Sequence, residues 1–361
     1  GKGHWAEYQD FMGHKRVHES AAVWTIYHAI DSETANPFQA YQATRYVDTA
    51  IPHIPVTAHG LKENGYATIA TTNWLPYSWS INNVAFAEVM HTALSYFQAG
   101  RADAGYKLLK SSVLDGMYLG DSPGNFGQIS FYDAARGECY RDFGDPIGVA
   151  SRVLIQGLFG ILPDALNQQI ILRPGFPDDW DKASVSTPDI SYRFTRKEDT
   201  DTYHITQRFQ TPLHPVLHVN ARKEKIRSVK VNGVPATWQS IESAHGYPLL
   251  SIQAEGTSST TITIEWEGAP LHTLAVQEPV IASNRKLALQ IPSGASISQV
   301  YDPQSVLANH TVGATAFNAQ IKGEPGHYTF FVYTHQGEMD WWQPVNIYIE
   351  NVREAPSYTD F

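Results

Sequence analysis

The apolar residues of this 361-residue chain change period once, near residue 167, and that change excludes both an all-helical and an all-β fold. Before it the spacing is helical. Val23, Ile26, Tyr27 and Ile30 fall at i, i+3, i+4 and i+7 behind Ser20, a candidate cap, and Asn36-Pro37 predicts a second helix to about Val47. A third helix is predicted from about Ser80 to Ala99, with Phe86, Met90, Ala93 and Phe97 on one stripe and Gly100 ending it. Ala102, Tyr106, Leu109 and Val113 then give it a hairpin partner. Asp145-Pro146 reads as the start of a last helix that turns Ile147, Leu154, Leu158 and Ile161 inward and stops at Pro163. Between these helices, residues 50–76 and 118–144 have no clean period and read as long loops, which in compact domains are usually functional.

From Gln169 the pattern alternates through short segments such as SYRFTR, TYHITQRF and TTITIEW, separated by Pro, Gly, Asn and Asp, which predicts an antiparallel sandwich. Gly268-Ala269-Pro270 marks a join before a further run of strands. The expected class is α+β and multidomain: αα-hairpins over residues 1–166, a β-sandwich over 167–268, and a third β unit over 269–361 packed on the sandwich or on the helices.

Charge and cysteine content narrow the function. Lys and Arg total 26 against 36 Asp and Glu, a net charge of −10, which argues against nucleic acid and anionic membranes as partners. Cys139 is the one cysteine, so neither an intrachain disulfide nor a cysteine zinc cage is available, and a lone thiol is more often inert than nucleophilic. No stretch is apolar enough to predict a membrane helix. The opening residues, GKGHWAEYQD, contain no signal-peptide core, which leaves export open because the amino end reads as truncated. His14 and His18 are four apart but lack the intervening Glu of H-E-x-x-H, and no Walker A loop, dinucleotide fingerprint or G-x-S-x-G elbow occurs. No metal or other cofactor is expected.

Carboxylates beside rings are more informative. Glu7 stands in WAEYQDF with Trp5, and Glu138 in YDAARGECYRDFGD with Arg136 and Asp142. Trp74, Tyr77 and Trp79 precede Asn83 in a ring-rich segment suited to stacking on sugar faces while the amide bonds hydroxyls. Taken singly, Glu7 reads better as a surface helix residue, Glu138 as a salt-bridge partner of Arg136 or Arg141, and each ring as packing. Together they suit acid–base work on a neutral saccharide.

The segment SRVLIQGLFGILPDALNQQIILRPGFPDDWDKASV resembles the junction between the last helix and the C-terminal sandwich of six-hairpin, (α/α)6-barrel glycosidases such as the bacterial α-L-rhamnosidases. HESAAVWTIYHAID, NPFQAYQATRYVDTAIPHIPV and NWLPYSWSINNVAFAEVMHTALSYFQAGR are similar to a less characterised bacterial branch of that superfamily, known mainly as a domain of unknown function. The resemblance implies an (α/α)6-toroid, partial here because twelve helices complete it and about five are legible, followed by a β-sandwich. It further implies an inverting glycoside hydrolase of poly- or oligosaccharides, exported to the periplasm or surface of a Gram-negative bacterium. Glu138 takes the place of the general base, Glu7 that of the acid, and Trp5, Trp74, Tyr77, Trp79, Asn83, Arg136 and Asp142 are the expected substrate-binding residues. The alternatives are a polysaccharide lyase using Tyr132, Tyr140, Arg136 and Arg141, which the net acidity disfavours, and a non-catalytic saccharide-binding or scaffold protein.

Overall fold

The computed structural model describes residues 2–351 except 58, 63, 75–82, 120–130, 134–137, 141–143 and 275–277; of Leu119, Glu138, Cys139 and Tyr140 it describes only the backbone. The described residues form five α-helices and then, from Gln169 on, strands and turns.

Helix α1 (Val23–Asp31) buries the four residues of its predicted stripe, but its cap is Ala22 rather than Ser20. Helix α2 (Pro37–Ala50) starts as its sequence dictates, because Asn36 and Gln39 form a reciprocal capping box in front of Pro37. Helix α3 (Phe86–Gln98) is shorter than expected, since Asn83–Ala85 is a strand, and Gly100 ends it at φ +70°. Helix α4 (Ala102–Val113) turns back along α3. Helix α5 (Asp145–Arg152) continues into a wider π-type turn, Val153–Leu158. That turn inserts extra backbone and moves Leu154, expected inward, off the stripe, leaving it 44% exposed; Ile147, also expected inward, lies in α5 before the turn and is 59% exposed. The two expected loops also carry strands. His53–Pro55 pairs with Ala67–Ile69, while Phe131–Asp133 lies between Asn83–Ala85 and Glu138–Tyr140.

The expected toroid is absent among the described residues. A ring of hairpins would leave each inner helix one face toward the lumen. Here α3 is central: α1, α4 and α5 pack around it, and ten of its thirteen residues are buried. The local period shows that helices form, but whether they close into a ring depends on how many hairpins surround them.

The β region has two cores. One lies between a six-stranded sheet, ordered Lys182–Ser186, Ile190–Lys197, Thr200–Gln207, Ser259–Pro270, Lys223–Val231 and Val234–Pro235, and a five-stranded one that includes His214–Asn220 and Leu249–Gln253. The pairing is antiparallel except for Gln169–Leu172 against His214–Asn220, which run parallel. Tyr192, Phe194, Ile262, Ile264 and Trp266 from the first sheet meet Leu217, Leu250 and Ile252 from the second. The second core gathers Phe317, Phe330, Val345 and Ile347 between the sheets of residues 280–350.

Helix α2 connects the helical core to this last unit. Gln42 donates to Gln304 Oε1 at 3.0 Å and to Thr329 O at 3.2 Å, Arg45 pairs with Glu278 at 3.1 Å, and Phe38 meets Tyr301, Phe331 and Trp342 edge-on. Among the described residues no helix is long and apolar enough to cross a membrane.

Candidate functional site

Tyr8–Gln9 and Val17–His18 form a two-stranded ribbon that lays Glu7 against the start of α1. The Glu7 carboxylate accepts three hydrogen bonds, from Ala22 N at 2.8 Å, Trp24 Nε1 at 2.6 Å and Thr25 Oγ1 at 2.5 Å. The first four N–H groups of a helix have no partner within it, and a carboxylate from another segment satisfies one of them here. Glu7 is therefore the missing cap of α1. Glu7→Ala should lower stability by about 1–2 kcal/mol, the scale of a lost cap, and a urea midpoint equal to that of the parent would exclude the capping role.

Around Glu7, Trp5 packs against the helical core, Tyr8 stacks on His18 at 4.9 Å, and His18 meets the edge of Trp74 at 4.9 Å. The Trp74 indole N–H donates to Ser20 O at 2.9 Å. His18 Nδ1 and Asn73 Oδ1 are buried there without a hydrogen-bond partner among the described residues, an arrangement that a ligand hydroxyl would relieve. His14 and His18 do not share a helix, because Val17–His18 is a strand.

A backbone ladder leads from this end of α1 to Glu138. Val23 N donates to Thr71 O and Thr71 N to Asn83 O, both at 3.0 Å, Asn83 pairs with Asp133, and Asp133 with Glu138. The Asn83 side chain is engaged in the ladder, its Nδ2 donating to Asp133 Oδ2 at 3.1 Å with both residues buried. Tyr77, Trp79, Arg136 and Asp142 lie outside the described residues, as does the Glu138 side chain.

Sequence reasoning missed Glu88. It sits in the first turn of α3, where Tyr27 Oη donates to it. Burial pushes its carboxyl above the ordinary range and Asp145, exposed at the start of α5, pushes the same way; Tyr27 and His28 pull only partly back. The Tyr27 ring leans on His91 at 4.7 Å, and burial and Arg152 hold His91 below its ordinary value. Further along, burial of Asp31 is outweighed by its bonds from Arg152, at 2.7 and 2.8 Å, and from Gln98, at 2.8 Å, so its carboxyl is held low. The available signal was a polar stripe in an apolar helix: Glu88, His91, Ser95 and Gln98 are spaced 3, 4 and 3 apart, which places them on one face of α3.

Another groove lies elsewhere. It encloses about 380 Å³ between α2 and the C-terminal sheet, against His4, Tyr46 and Tyr328, and none of the expected site residues lines it.

No family model matches the sequence, and no curated protein matches it significantly. Among solved structures, an α-L-rhamnosidase from Dictyoglumus thermophilum is similar at 14% identity and a TM-score of 0.35, over 51% of this chain and 21% of that one. The N-terminal Ig1-2 module of the Drosophila receptor protein tyrosine phosphatase DLAR is similar at 9% identity and a TM-score of 0.17, over 42% of this chain and 91% of the module. The chain thus spans about a fifth of the rhamnosidase. The likeness to the rhamnosidase is weak and confined to half of the chain, and family membership is not shown by it.

Proposed function

We propose that this chain is a carbohydrate-active protein that hydrolyses a glycosidic bond of an oligo- or polysaccharide by inversion, at the surface formed by the starts of α1, α3 and α5. The observation that carries this reading is the contrast between two carboxylates. Glu88 is enclosed beneath Tyr27 with its carboxyl raised, while Asp145 stands exposed and near enough to raise it further. A general acid requires a carboxyl whose hold on its proton is strengthened, and burial and the neighbouring Asp145 both act that way on Glu88. Glu88 takes the acid role ahead of Glu7, whose two oxygens are already committed to α1. Glu138 remains the candidate base, and Trp5, Trp74, Tyr77, Trp79, Asn83, Arg136 and Asp142 the candidate binding residues. The capping of α1 by Glu7 favours a second reading, in which the same surface binds saccharide without cleaving it.

The test is a screen of neutral oligosaccharides for released reducing ends, with NMR of the first anomer formed, repeated on Glu88→Gln, Glu138→Gln and Glu7→Gln. Loss of an acid or a base should lower turnover by about 100-fold or more. That loss is expected for Glu88→Gln and Glu138→Gln, and little change beyond stability for Glu7→Gln. Saccharide binding without turnover would select the second reading, and the absence of both would refute the proposal.

A further inference from the structure

Between the C-terminal end of α3 and the five-stranded sheet lies a cavity of about 200 Å³ lined by Gly100, Arg173, His218, Asn220, Ser243 and His245, among others. Arg173 follows the strand Gln169–Leu172, and its backbone N–H is fixed to Gly160 O at 2.8 Å. Its guanidinium makes one long bond, from Nη1 to Gln98 O at 3.4 Å. Other enclosed arginines of this chain meet carboxylates: Arg45 and Arg101 share Asp48, Arg152 holds Asp31, and Arg196 and Arg222 converge on Asp201. Arg173 has no such partner within 4.0 Å among the described residues, and burial alone depresses its guanidinium from the ordinary value. An arginine stays protonated under these conditions, so the cavity wall carries an uncompensated positive charge in a poorly solvated place.

The neighbouring groups are neutral and available. Burial, and next the charge of Arg173, lowers His218, so its imidazole is uncharged at neutral pH, and neither of its nitrogens bonds within the described protein. His245, by contrast, spends Nε2 on Ala99 O at 2.7 Å and forms the back of the cavity. Gly100, at φ +70°, lines the cavity with main chain. Tyr247, at the rim, directs its hydroxyl to Asp178 at 3.2 Å.

We infer that this cavity binds a small oxyanion, the carboxylate of an acidic sugar or a phosphate, held by the Arg173 fork and one ring N–H of His218. A planar guanidinium matches both groups through two parallel N–H bonds, and a neutral sugar supplies no countercharge. The site is separate from the saccharide surface proposed above and does not depend on it.

The test measures melting temperature and binding heat with sodium glucuronate, inorganic phosphate and glucose, in low-chloride buffer with sodium chloride matching ionic strength. At least one oxyanion should raise the melting temperature saturably, while glucose and matched chloride should not. A response to glucuronate alone identifies a carboxylate site, to phosphate alone a phosphate site, and to both a general oxyanion site. Arg173→Met should abolish the rise without lowering the melting temperature of the anion-free protein, since it removes a half-buried charge with no carboxylate partner among the described residues. Arg173→Lys should weaken binding about tenfold by losing the fork, and His218→Leu should weaken it even if Arg173→Met fails to fold. No saturable response to either oxyanion, or an undiminished one in the Arg173 and His218 variants, overturns the inference.

Discussion

Phe97→Ala is expected to lower the unfolding free energy by about 3–5 kcal/mol, the range for removing a buried aromatic ring. Phe97 is buried in the last turn of α3, in a slot whose walls are glycine backbone. A Cβ added at Gly105 would stand 3.0 Å from its ring, at Gly157 2.6 Å, and at Gly175 2.4 Å. The slot therefore gathers α4, the turn after α5 and the segment entering the β region around one side chain. Because walls of main chain cannot collapse into the space a missing ring leaves, the cost should fall at the upper end of that range. The reciprocal change is informative as well. Gly175→Ala should cost about 1–3 kcal/mol through overpacking, and combining it with Phe97→Leu should recover part of that loss. Urea denaturation of the two single variants and the double one measures the coupling. A neutral Gly175→Ala, or strict additivity, would show that the ring does not rest on these glycines.

The second large effect is a loss of stability in acid that is traceable to His245. Burial pushes this imidazole from 6.5 down to about 4, and the nearby Arg173 and Arg101 add to the shift. The unfolded chain then takes up the proton first as the pH falls. The contribution of neutral His245 is complete above pH 6.5 and is lost progressively between 6.5 and 4. The gap of 6.5 − 4 = 2.5 corresponds to about 3 kcal/mol at 1.36 kcal/mol per pH unit. Carboxylates also destabilise proteins in acid, so the measurement is a difference: unfolding free energies of the parent and of His245→Gln from pH 7 to 4.5. Glutamine can still donate to Ala99 O but does not titrate in this range. The parent should lose more stability than the variant over that interval, and parallel curves would exclude His245 as the cause.

What could be read without coordinates was local. The stripe of α1, the Asn36-Pro37 start of α2, the stop at Gly100, the αα-hairpin of α3 and α4 and the change of period near residue 167 each depend on residues a few positions apart, and backbone geometry turns such spacings directly into faces and ends. The sugar-site reading was legible only as residue types. Glu7 stands among rings in sequence, yet what it meets is the start of α1, fifteen to eighteen residues away. Glu88 looked like one more polar residue of an amphipathic helix until Tyr27, sixty-one positions earlier, was seen to cover it. The resemblance in residues 151–185 carried the layout of a toroid, but α3 proved to be the centre of a small cluster rather than one member of a ring. The glycines of that same segment, Gly157 and Gly175, acquire their reason only beside Phe97, and Arg173 its solitude only beside the end of α3. Contacts between residues tens to hundreds of positions apart depend on how whole elements pack, and no local period encodes which element will cover which. Elements and their ends were therefore determined by the chain's own spacing, while closure, desolvation and the pairing of charges were decided by the tertiary structure, because each is set by what lies across the interface rather than along the backbone.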